Sequence, residues 1–450
     1  MIPVVTPEEM AAIDAAASEP VGVLVERAGW AVYRHALDML GGTYGRRVVV
    51  VAGKGNNGAD GRSAARRLSQ RGVHITITEA NAGGASLPRC DLVIDAAYGT
   101  GFRGSYDPPR VPAGALVLAV DVPTGVDSLT GAATASVVAD ATVTFAALKP
   151  GLLFADPALV GVVSVADIGL DASGVSAWLV EPGDVVLPQR AWDAHKYASA
   201  VLVVAGSVGM TGAASLCAHA ALRAGSGYVR LGVPGAVVDD PLEAVSLPLP
   251  VSGWVGDALG ACDRMRAGAI GPGLGRDAST LADARRFAVD APIPLVVDGD
   301  GLAALSPLGD APPPWAAARL LTPHGGEFER LSGKPPTDDR LGEVRRIASH
   351  AGATVLSKGR VTVVASPEVE VWMSSTGGPA LATAGSGDVL TGIAAAFLAR
   401  GLSPLAAGAF AACVHGLASL QAGHRRRSST TSWHGLVAGD LPDLLPDVLP

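Results

Sequence analysis

The sequence predicts an α/β protein of two domains, the first of them a doubly wound sheet. At 450 residues the chain is too long for one ordinary hydrophobic core. Continuous apolar runs, which parallel sheets bury on both faces, alternate with segments of helical spacing. Glycine-rich turns follow these runs, where strands would end. We therefore expect a first α/β domain at 1–188 and a second at 189–450.

The composition is typical of a well-buried enzyme. Hydrophobic residues make up 49% of the chain and charged residues 17%. A net charge of -8 argues against a chain that wraps nucleic acid, and the basic run at 424–427 is expected to be solvated surface. Neither a signal peptide nor an unbroken apolar stretch of about 20 residues is visible. We expect a cytoplasmic protein that binds neither nucleic acid nor membranes.

The N-terminal region predicts two helices and a buried strand. Thr6 is a candidate N-cap and Pro7 a first helical residue, with a helix running through Asp14. Apolar spacing predicts a second helix at 24–40. The apolar run at 46–52 then predicts a strand of a parallel sheet.

A dense glycine motif follows that strand. Residues 53–61 contain four glycines, with Asn56 and Asn57 between them, and precede a predicted helix at 62–71. Backbone amides of such a turn bind phosphate groups, and the asparagines add polar atoms that a turn does not need. A plain Asn-Gly turn is the alternative.

Polar residues end the next predicted strands, which lie at 73–78, 91–96 and 115–120 with helices between them. Ligands of open α/β sheets bind beyond the carboxyl ends of the strands, so these residues could converge on one site. The residues concerned are Asn57, Asp95, Asp121 and Thr124. The oxygen atoms of Asn57, Asp95 and Thr124 suit a hard monovalent or divalent cation, although helix caps are the simpler interpretation of each.

The second half repeats the pattern of strands and glycine turns. A last strand of the first domain is predicted at 160–168. Strands at 200–205 and 267–270 lead into glycine-rich turns at 206–213 and 271–275. A further strand ends at Asp298 and Asp300, which could bind magnesium or cap a helix. Three spaced strands at 354–357, 361–365 and 369–373 predict antiparallel pairs.

The stretch from Ala382 to Gly392 is the strongest candidate site of the second half. Gly385, Ser386 and Gly387 precede a predicted buried helix at 389–398, so free backbone amides at its start would attract an anion. Asp388 could cap this helix, or it could take a proton from a hydroxyl nucleophile beside a bound phosphate.

Three motifs of the first half resemble, in order, the signature of the NAD(P)H-hydrate epimerase family: residues 53–61, Asp95 with 99–104, and 121–125. The resemblance implies a Rossmann-like domain that binds the hydrated nicotinamide nucleotide and K+. It implies Asp121 as acid/base and Asn57, Asp95 and Thr124 as potassium ligands. The implied substrate residues are Asn56, Asn57, Gly58, Ala59, Asp60, Gly99, Thr100, Gly101, Phe102, Arg103, Gly104, Ser105 and Asp121. Ala59 stands where the family usually has glycine, and Thr124 where it usually has serine.

The second half is similar to the ribokinase-like NAD(P)H-hydrate dehydratase family. Its motifs, in order, are 206–213, 271–275, 322–327, 358–359 and 384–392. The resemblance implies ADP or ATP as cosubstrate, with Mg2+. The implied hydrate contacts are Ala213, Gly273, His324 and Asp388. The implied nucleotide contacts are Lys358, Gly359, Arg360, Val361, Thr362, Gly385, Ser386 and Gly387. Loops 197–199 and 376–381 depart from the family's usual sequence.

Together the two resemblances imply a bifunctional enzyme, expected to be a homo-oligomer, that repairs hydrated NADH and NADPH. The first domain would interconvert the R and S hydrates, and the second would dehydrate the S hydrate. Catalysis would depend on Asp121 and Asp388 respectively. The alternative is a ribokinase-like small-molecule kinase with a non-catalytic N-terminal ligand-binding module, since such folds serve many functions.

Overall fold

The computed structural model describes residues 1–80, 84–425 and 435–450, with the side chains of 423–425 excluded. The predicted solvated run at 424–427 therefore lies outside the described side chains. The chain divides into two compact units, Ile2–Ala177 and Trp178–Pro450. The domain boundary predicted from the sequence lies near residue 188. Val180 and Val185 are buried in the core of the second unit, which is why the division falls before them.

The first unit contains a six-stranded sheet in the order β3-β2-β4-β5-β6-β7, and every neighbouring pair is parallel. Its elements are β1 (Ile2–Val4), α1 (Pro7–Ala15), α2 (Val21–Leu40), β2 (Arg47–Ala52), α3 (Asn56–Gln70), β3 (His74–Glu79), β4 (Leu92–Ala96), β5 (Leu116–Val120), β6 (Ala141–Phe145), α4 (Pro150–Phe154), α5 (Pro157–Val160) and β7 (Val162–Ala166).

This strand order confirms the predicted sheet. The chain runs from β2 to β3 on one side and then crosses to β4 on the other side of β2, so the sheet has a switch point between β2 and β4. Helices α2 and α3 pack together on one face, around Val32 and Leu68. The opposite face is covered by irregular segments, including Tyr106 and Val137.

Two details of the predicted first unit are wrong. The helices expected between β3 and β4 and between β4 and β5 are absent from the described residues, because 84–91 and 97–115 contain no helix; prolines and positive-φ glycines interrupt both segments. Helix α3 begins at Asn56, so the predicted loop residues form its first turns. Gly58 permits this early start, since a Cβ there would lie 1.9 Å from the Gly53 carbonyl oxygen.

The second unit contains a larger mixed sheet, in the order β8-β17-β16-β15-β14-β13-β12-β9-β10-β11. Its elements are β8 (Ala177–Leu179), β9 (Ala200–Val204), α6 (Thr211–Arg223), β10 (Tyr228–Pro234), β11 (Val245–Leu249), α7 (Val255–Gly260), β12 (Ala267–Ile270), α8 (Ala278–Asp290), β13 (Leu295–Val297), α9 (Gly299–Leu305), β14 (Arg319–Leu321), α10 (Gly325–Ser332), α11 (Arg340–Ala351), β15 (Thr354–Ser357), β16 (Thr362–Ala365), β17 (Val371–Ser374), α12 (Ser386–Ala399), α13 (Pro404–Arg425) and α14 (Leu441–Val448). Strands β15, β16 and β17 are antiparallel neighbours, as predicted.

Helix α12 lies at the centre of the second unit. It packs against α6, where a Cβ on Gly392 would lie 2.1 Å from the Cys217 carbonyl oxygen. It also contacts α13 and the strands β9, β12 and β13. Among the described residues one helix, at Pro404–Ala422, is long and apolar enough to cross a membrane, but 72% of it is buried inside the protein. A buried core helix of a soluble protein has the same composition.

Two candidate active sites

A cavity of about 360 Å³ lies at the carboxyl edge of the first sheet. Apolar residues of α2, such as Leu24 and Ala28, form part of its wall together with Phe102 and Phe145. The polar residues that line it are Asp14, Asn56, Asn57, Asp60, Thr100, Asp121 and Lys149. The cavity therefore combines an apolar wall with a few charged groups, as ligand sites commonly do.

Asp121 is held rigidly in this cavity. It follows β5 with a φ of 67°, a conformation that few residues other than glycine adopt. The Thr100 amide donates to Asp121 Oδ2 at 2.8 Å, and the Thr100 hydroxyl donates to the same oxygen at 2.6 Å. The Thr144 hydroxyl donates to Oδ1 at 3.0 Å. Both carboxylate oxygens thus have fixed partners.

Lys149 forms a buried ion pair with Asp121. Its Nζ lies 2.8 Å from Asp121 Oδ1, and its side chain is 1% exposed. The same ammonium group donates to the Thr144 hydroxyl and to the Phe145 carbonyl. Burial raises the pKa of Asp121, but the Lys149 charge and the hydrogen bonds outweigh it and leave that pKa below its ordinary value. Asp121 is therefore ionised at neutral pH.

Gly99 allows the cavity loop to approach Asp121. A Cβ at position 99 would lie 2.7 Å from Asp121 Oδ2 and 3.4 Å from Asn57 Cγ. We expect Gly99→Ala to displace the carboxylate and to lower by about 10²-fold the kcat of the epimerase activity that the sequence resemblance implies, because small misplacements of a reacting group are costly. Gly174→Ala is the control, since a Cβ there would meet no atom within 4 Å. Equal epimerase rates in the two variants would contradict this expectation.

Asn57, Asp95 and Thr124 lie close to this edge of the sheet and are buried or half-buried. Thr124 donates to Asp95 through its amide at 2.8 Å and through its hydroxyl at 2.9 Å. Both polar side-chain atoms of Asn57 are buried without a hydrogen-bond partner among the described residues. An unpaired buried amide is costly, so Asn57 is suited to a bound group.

The remaining predicted substrate residues fall into two groups. Asn56, Gly99, Gly101 and Phe102 line the cavity with those already described. Gly58, Ala59, Arg103, Gly104 and Ser105 do not line it. Ala59, the departure from the usual glycine, is half-buried on α3.

The second candidate site lies at the start of α12. Gly385 is the N-cap residue, with a φ of 90°, and Ser386 to Asp388 form the first turn. The preceding strand β17 ends at Ser374, and a 3-10 turn at Pro379–Leu381 lies between. The amides of Ser386 and Asp388 donate to the Thr383 and Gly385 carbonyls, whereas those of Gly385 and Gly387 have no backbone partner among the described residues. These two amides and the helix dipole make this end of a 14-residue helix favourable for an anion.

Lys358 adds a positive charge at this helix start. A Cβ on Gly387 would lie 3.4 Å from Lys358 Nζ, so glycine allows the ammonium group to lie close to the turn. Lys358 also pairs with Asp298, whose other oxygen accepts the Thr391 hydroxyl at 2.8 Å. Asp298 therefore positions Lys358 instead of capping α9 through its side chain.

Asp388 is half-buried beside this lysine. Burial is the main cause that raises the pKa of Asp388, and the negative charges of Asp298, Asp300 and Glu327 raise it further. The positive charge of Lys358 lowers this pKa, and the net result is a pKa of about 7. A carboxylate with such a pKa can exchange a proton at neutral pH, as a general base must.

The other predicted residues of the second site are spread over several loops. Ala213 and Gly273 are neighbours, since a Cβ on Gly273 would lie 3.0 Å from the Ala213 Cβ. The His324 side chain is 58% exposed and caps α10 through Nδ1. Among the predicted nucleotide residues, Gly359 packs against Arg340. Arg360 is exposed, Val361 is buried and Thr362 begins β16.

Comparison with known proteins identifies both halves of the chain. A family model described as NAD(P)H-hydrate dehydratase matches residues 201–436, and one described as YjeF-related protein N-terminus matches 21–83 and 78–151. Proteins named bifunctional NAD(P)H-hydrate repair enzyme Nnr are similar over most of the chain. The Mycobacterium tuberculosis protein is 40% identical, with 86% of each chain covered. The Moorella thermoacetica protein is 35% identical, with 99% of this chain and 96% of that protein covered.

The chain belongs to the family of bifunctional NAD(P)H-hydrate repair enzymes. Both predicted fold classes, the Rossmann-like and the ribokinase-like, are confirmed. A solved structure, ADP/ATP-dependent NAD(P)H-hydrate dehydratase from Bacillus subtilis co-crystallised with ATP/Mg2+, is 30% identical with a TM-score of 0.51. It matches 60% of this chain and 96% of that chain. The kinase alternative is not favoured.

Sequence reasoning did not assign a partner to Asp121 or to Asp388. The signal that could have found these partners is the rarity of lysine, since five lysines occur beside 29 arginines. Two of the five, Lys149 and Lys358, lie at these sites. Thr144 and Thr391, which donate to Asp121 and Asp298, carry no motif that would have marked them.

Proposed function

We propose that the first unit epimerises hydrated NADH and NADPH and that the second unit dehydrates the S hydrate with ADP or ATP. The observation that carries the proposal is the start of α12, where Asp388 lies beside Lys358 and the unpaired backbone amides of Gly385 and Gly387. The first turn of α12 thus contains both an anion-binding site and a general base. Membership of the repair family supplies the substrate class.

The hydroxyl of the hydrate is a poor leaving group, so the second unit must activate it. Asp388 takes the hydroxyl proton while the oxygen attacks the terminal phosphorus of the nucleotide, and the bond from that phosphorus to the bridging oxygen breaks. The amides of 385–387 and Lys358 stabilise the charge that develops on the phosphoryl oxygens. The ring nitrogen then expels phosphate, and loss of a ring proton restores the reduced nicotinamide.

Magnesium fits this site as a companion of the nucleotide. Asp298 and Asp300 end β13 and begin α9 nearby, but Asp298 pairs with Lys358, and Asp300 accepts from Arg276 and Gly275. Bound Mg2+ would therefore be held mainly by the nucleotide phosphates. Bound Mg2+ would neutralise charge on the phosphates.

Potassium fits the first unit. The unpaired amide of Asn57, together with Asp95 and Thr124, supplies the oxygen ligands that hard cations prefer. Of these three residues Asn57 alone lines the cavity. Bound K+ would fix the Asn57 side chain there and attract the negative phosphates of the substrate. In the epimerisation, Asp121 is the ionised carboxylate that moves the proton. The cytoplasmic location and the homo-oligomeric state stay predictions.

A stereochemical assay tests both activities together. We incubate the chain with mixed R and S hydrates, with and without ADP, and follow the return of reduced-nicotinamide absorbance. Complete conversion with ADP, together with release of free phosphate, is expected. Conversion that stops when the S hydrate is exhausted would refute the epimerase assignment, and a stable phosphorylated product would indicate a kinase.

A further inference from the structure

Two carboxyl groups of the first cavity lie in opposite surroundings. Asp121 is tied to Lys149, Thr100 and Thr144, as described above. Asp60 lies in the second turn of α3, is 6% exposed and lines the same cavity. Within the part of the chain that the structure describes, no group donates a hydrogen bond to the Asp60 carboxyl.

The charges that face Asp60 are mainly negative. Asp121 and Asp14 of α1 line the same cavity as Asp60. The cation of the cavity, Lys149, is already paired with Asp121. Burial raises the pKa of Asp60 to about 8, with Asp121 and Asp14 adding to the shift. The pKa of Asp14 is also raised, first by burial, whereas Lys149 lowers it.

The different surroundings give the two carboxyl groups different protonation states. Asp60 keeps its proton at neutral pH, while Asp121 is ionised. Two carboxyl groups whose environments drive their pKa values apart commonly act as an acid and a base.

We propose that Asp60 is the general acid of the epimerase site, acting opposite Asp121 as the general base, with Lys149 as a positioning residue. This inference rests on the proposed epimerase function and names the proton donor that it requires. The position of Asp60, facing the cavity without a competing protein partner, leaves its proton free for the substrate.

The proposed step balances without any further reactant. Asp121 takes the proton of the ring hydroxyl, the carbonyl forms, and the bond between that carbon and the ring nitrogen breaks. The electron pair passes to the nitrogen, which receives the proton of Asp60. Rotation about the adjacent carbon–carbon bond presents the other face of the carbonyl, and ring closure returns both protons to their original carboxyl groups.

The test replaces Asp60 by Asn, which keeps the shape but has no acidic proton. The epimerase rate of D60N, above the enzyme-free rate, is expected to fall by about 10²-fold or more. The wild-type rate should decline as the pH rises through about 8, because Asp60 then loses its proton, and D60N should lack this decline. Asp38→Asn, on the exposed side of α2, is the control and should behave as wild type.

A second measurement does not depend on activity. The pKa of Asp60 is higher in the folded chain than its ordinary value of 3.8, so the stability linked to its proton is present at low pH and lost as the pH rises towards about 8. The Tm of D60N, relative to wild type, should therefore be higher at pH 9 than at pH 5. A Tm difference that is independent of pH would show that Asp60 does not hold this proton.

The outcomes separate this inference from the proposed function. A wild-type chain that does not epimerise the hydrates refutes the function itself. A wild-type chain that epimerises, with D60N within threefold of its rate and with an unchanged pH profile, overturns only the assignment of Asp60. Retained ADP-dependent dehydration in D60N shows that the second unit of the variant is folded.

Discussion

Replacing Asp388 by Asn is expected to lower ADP-dependent dehydration by about 10² to 10⁴-fold and to leave epimerisation unchanged. The amide keeps the size of the side chain but cannot accept the hydroxyl proton. Rates are measured on the pure S hydrate at saturating ADP, and epimerisation is measured separately from the R hydrate. Full dehydration by D388N would remove Asp388 from the mechanism.

The pH dependence of dehydration provides a second check on Asp388. Its pKa of about 7 means that the ionised base forms as the pH rises through neutrality. The wild-type rate should be about tenfold lower at pH 6 than at pH 8 if proton removal limits it. The residual rate of D388N should lack this rise. Asp257→Asn, at an exposed position of α7, is the matched control and should keep the wild-type profile.

Replacing Lys149 by Met is expected to destabilise the first unit by about 3 kcal/mol and to lower epimerisation by about 10²-fold. The buried Asp121 carboxylate would lose its countercharge, so its pKa should rise. The Tm from calorimetry measures the first effect, and the rate on the R hydrate measures the second. Arg34→Met, which removes an exposed cation from α2, is the control.

The pH profile and a double variant separate positioning from simple destabilisation. If Lys149 acts through Asp121, the epimerase rate of K149M should rise between pH 5 and 7, where the wild-type base is already ionised. Asp121→Asn combined with Lys149→Met should recover stability, because no unpaired charge remains. It should not recover activity. A K149M enzyme with wild-type rates would contradict the positioning role.

The glycine motifs could be located from the sequence because each has a local physical cause. A turn before a helix needs glycine where φ is positive, as at Gly385, or where another group approaches closely, as at Gly99 and Gly387. Strands β2, β9 and β12 could be predicted because they are continuous apolar runs.

Features that depend on tertiary contacts were not predicted. Strand β6 was missed because Thr142 and Thr144 interrupt its apolar pattern, although both are buried with hydrogen-bond partners from other segments. The early start of α3 depends on the packing of Gly58 against Gly53. The pairing of Lys149 with Asp121 joins residues far apart in the sequence, so no local pattern could reveal it.

We propose above all that the start of α12 binds the nucleotide phosphates while Asp388 faces the hydrated ring. A crystal structure of the chain with ADP and Mg2+ tests it most directly. We expect phosphate oxygens at the backbone amides of 385–387, near Lys358, with the Asp388 carboxyl open to the adjoining space. A nucleotide bound elsewhere, or an Asp388 carboxyl turned into the protein interior in that complex, would contradict it.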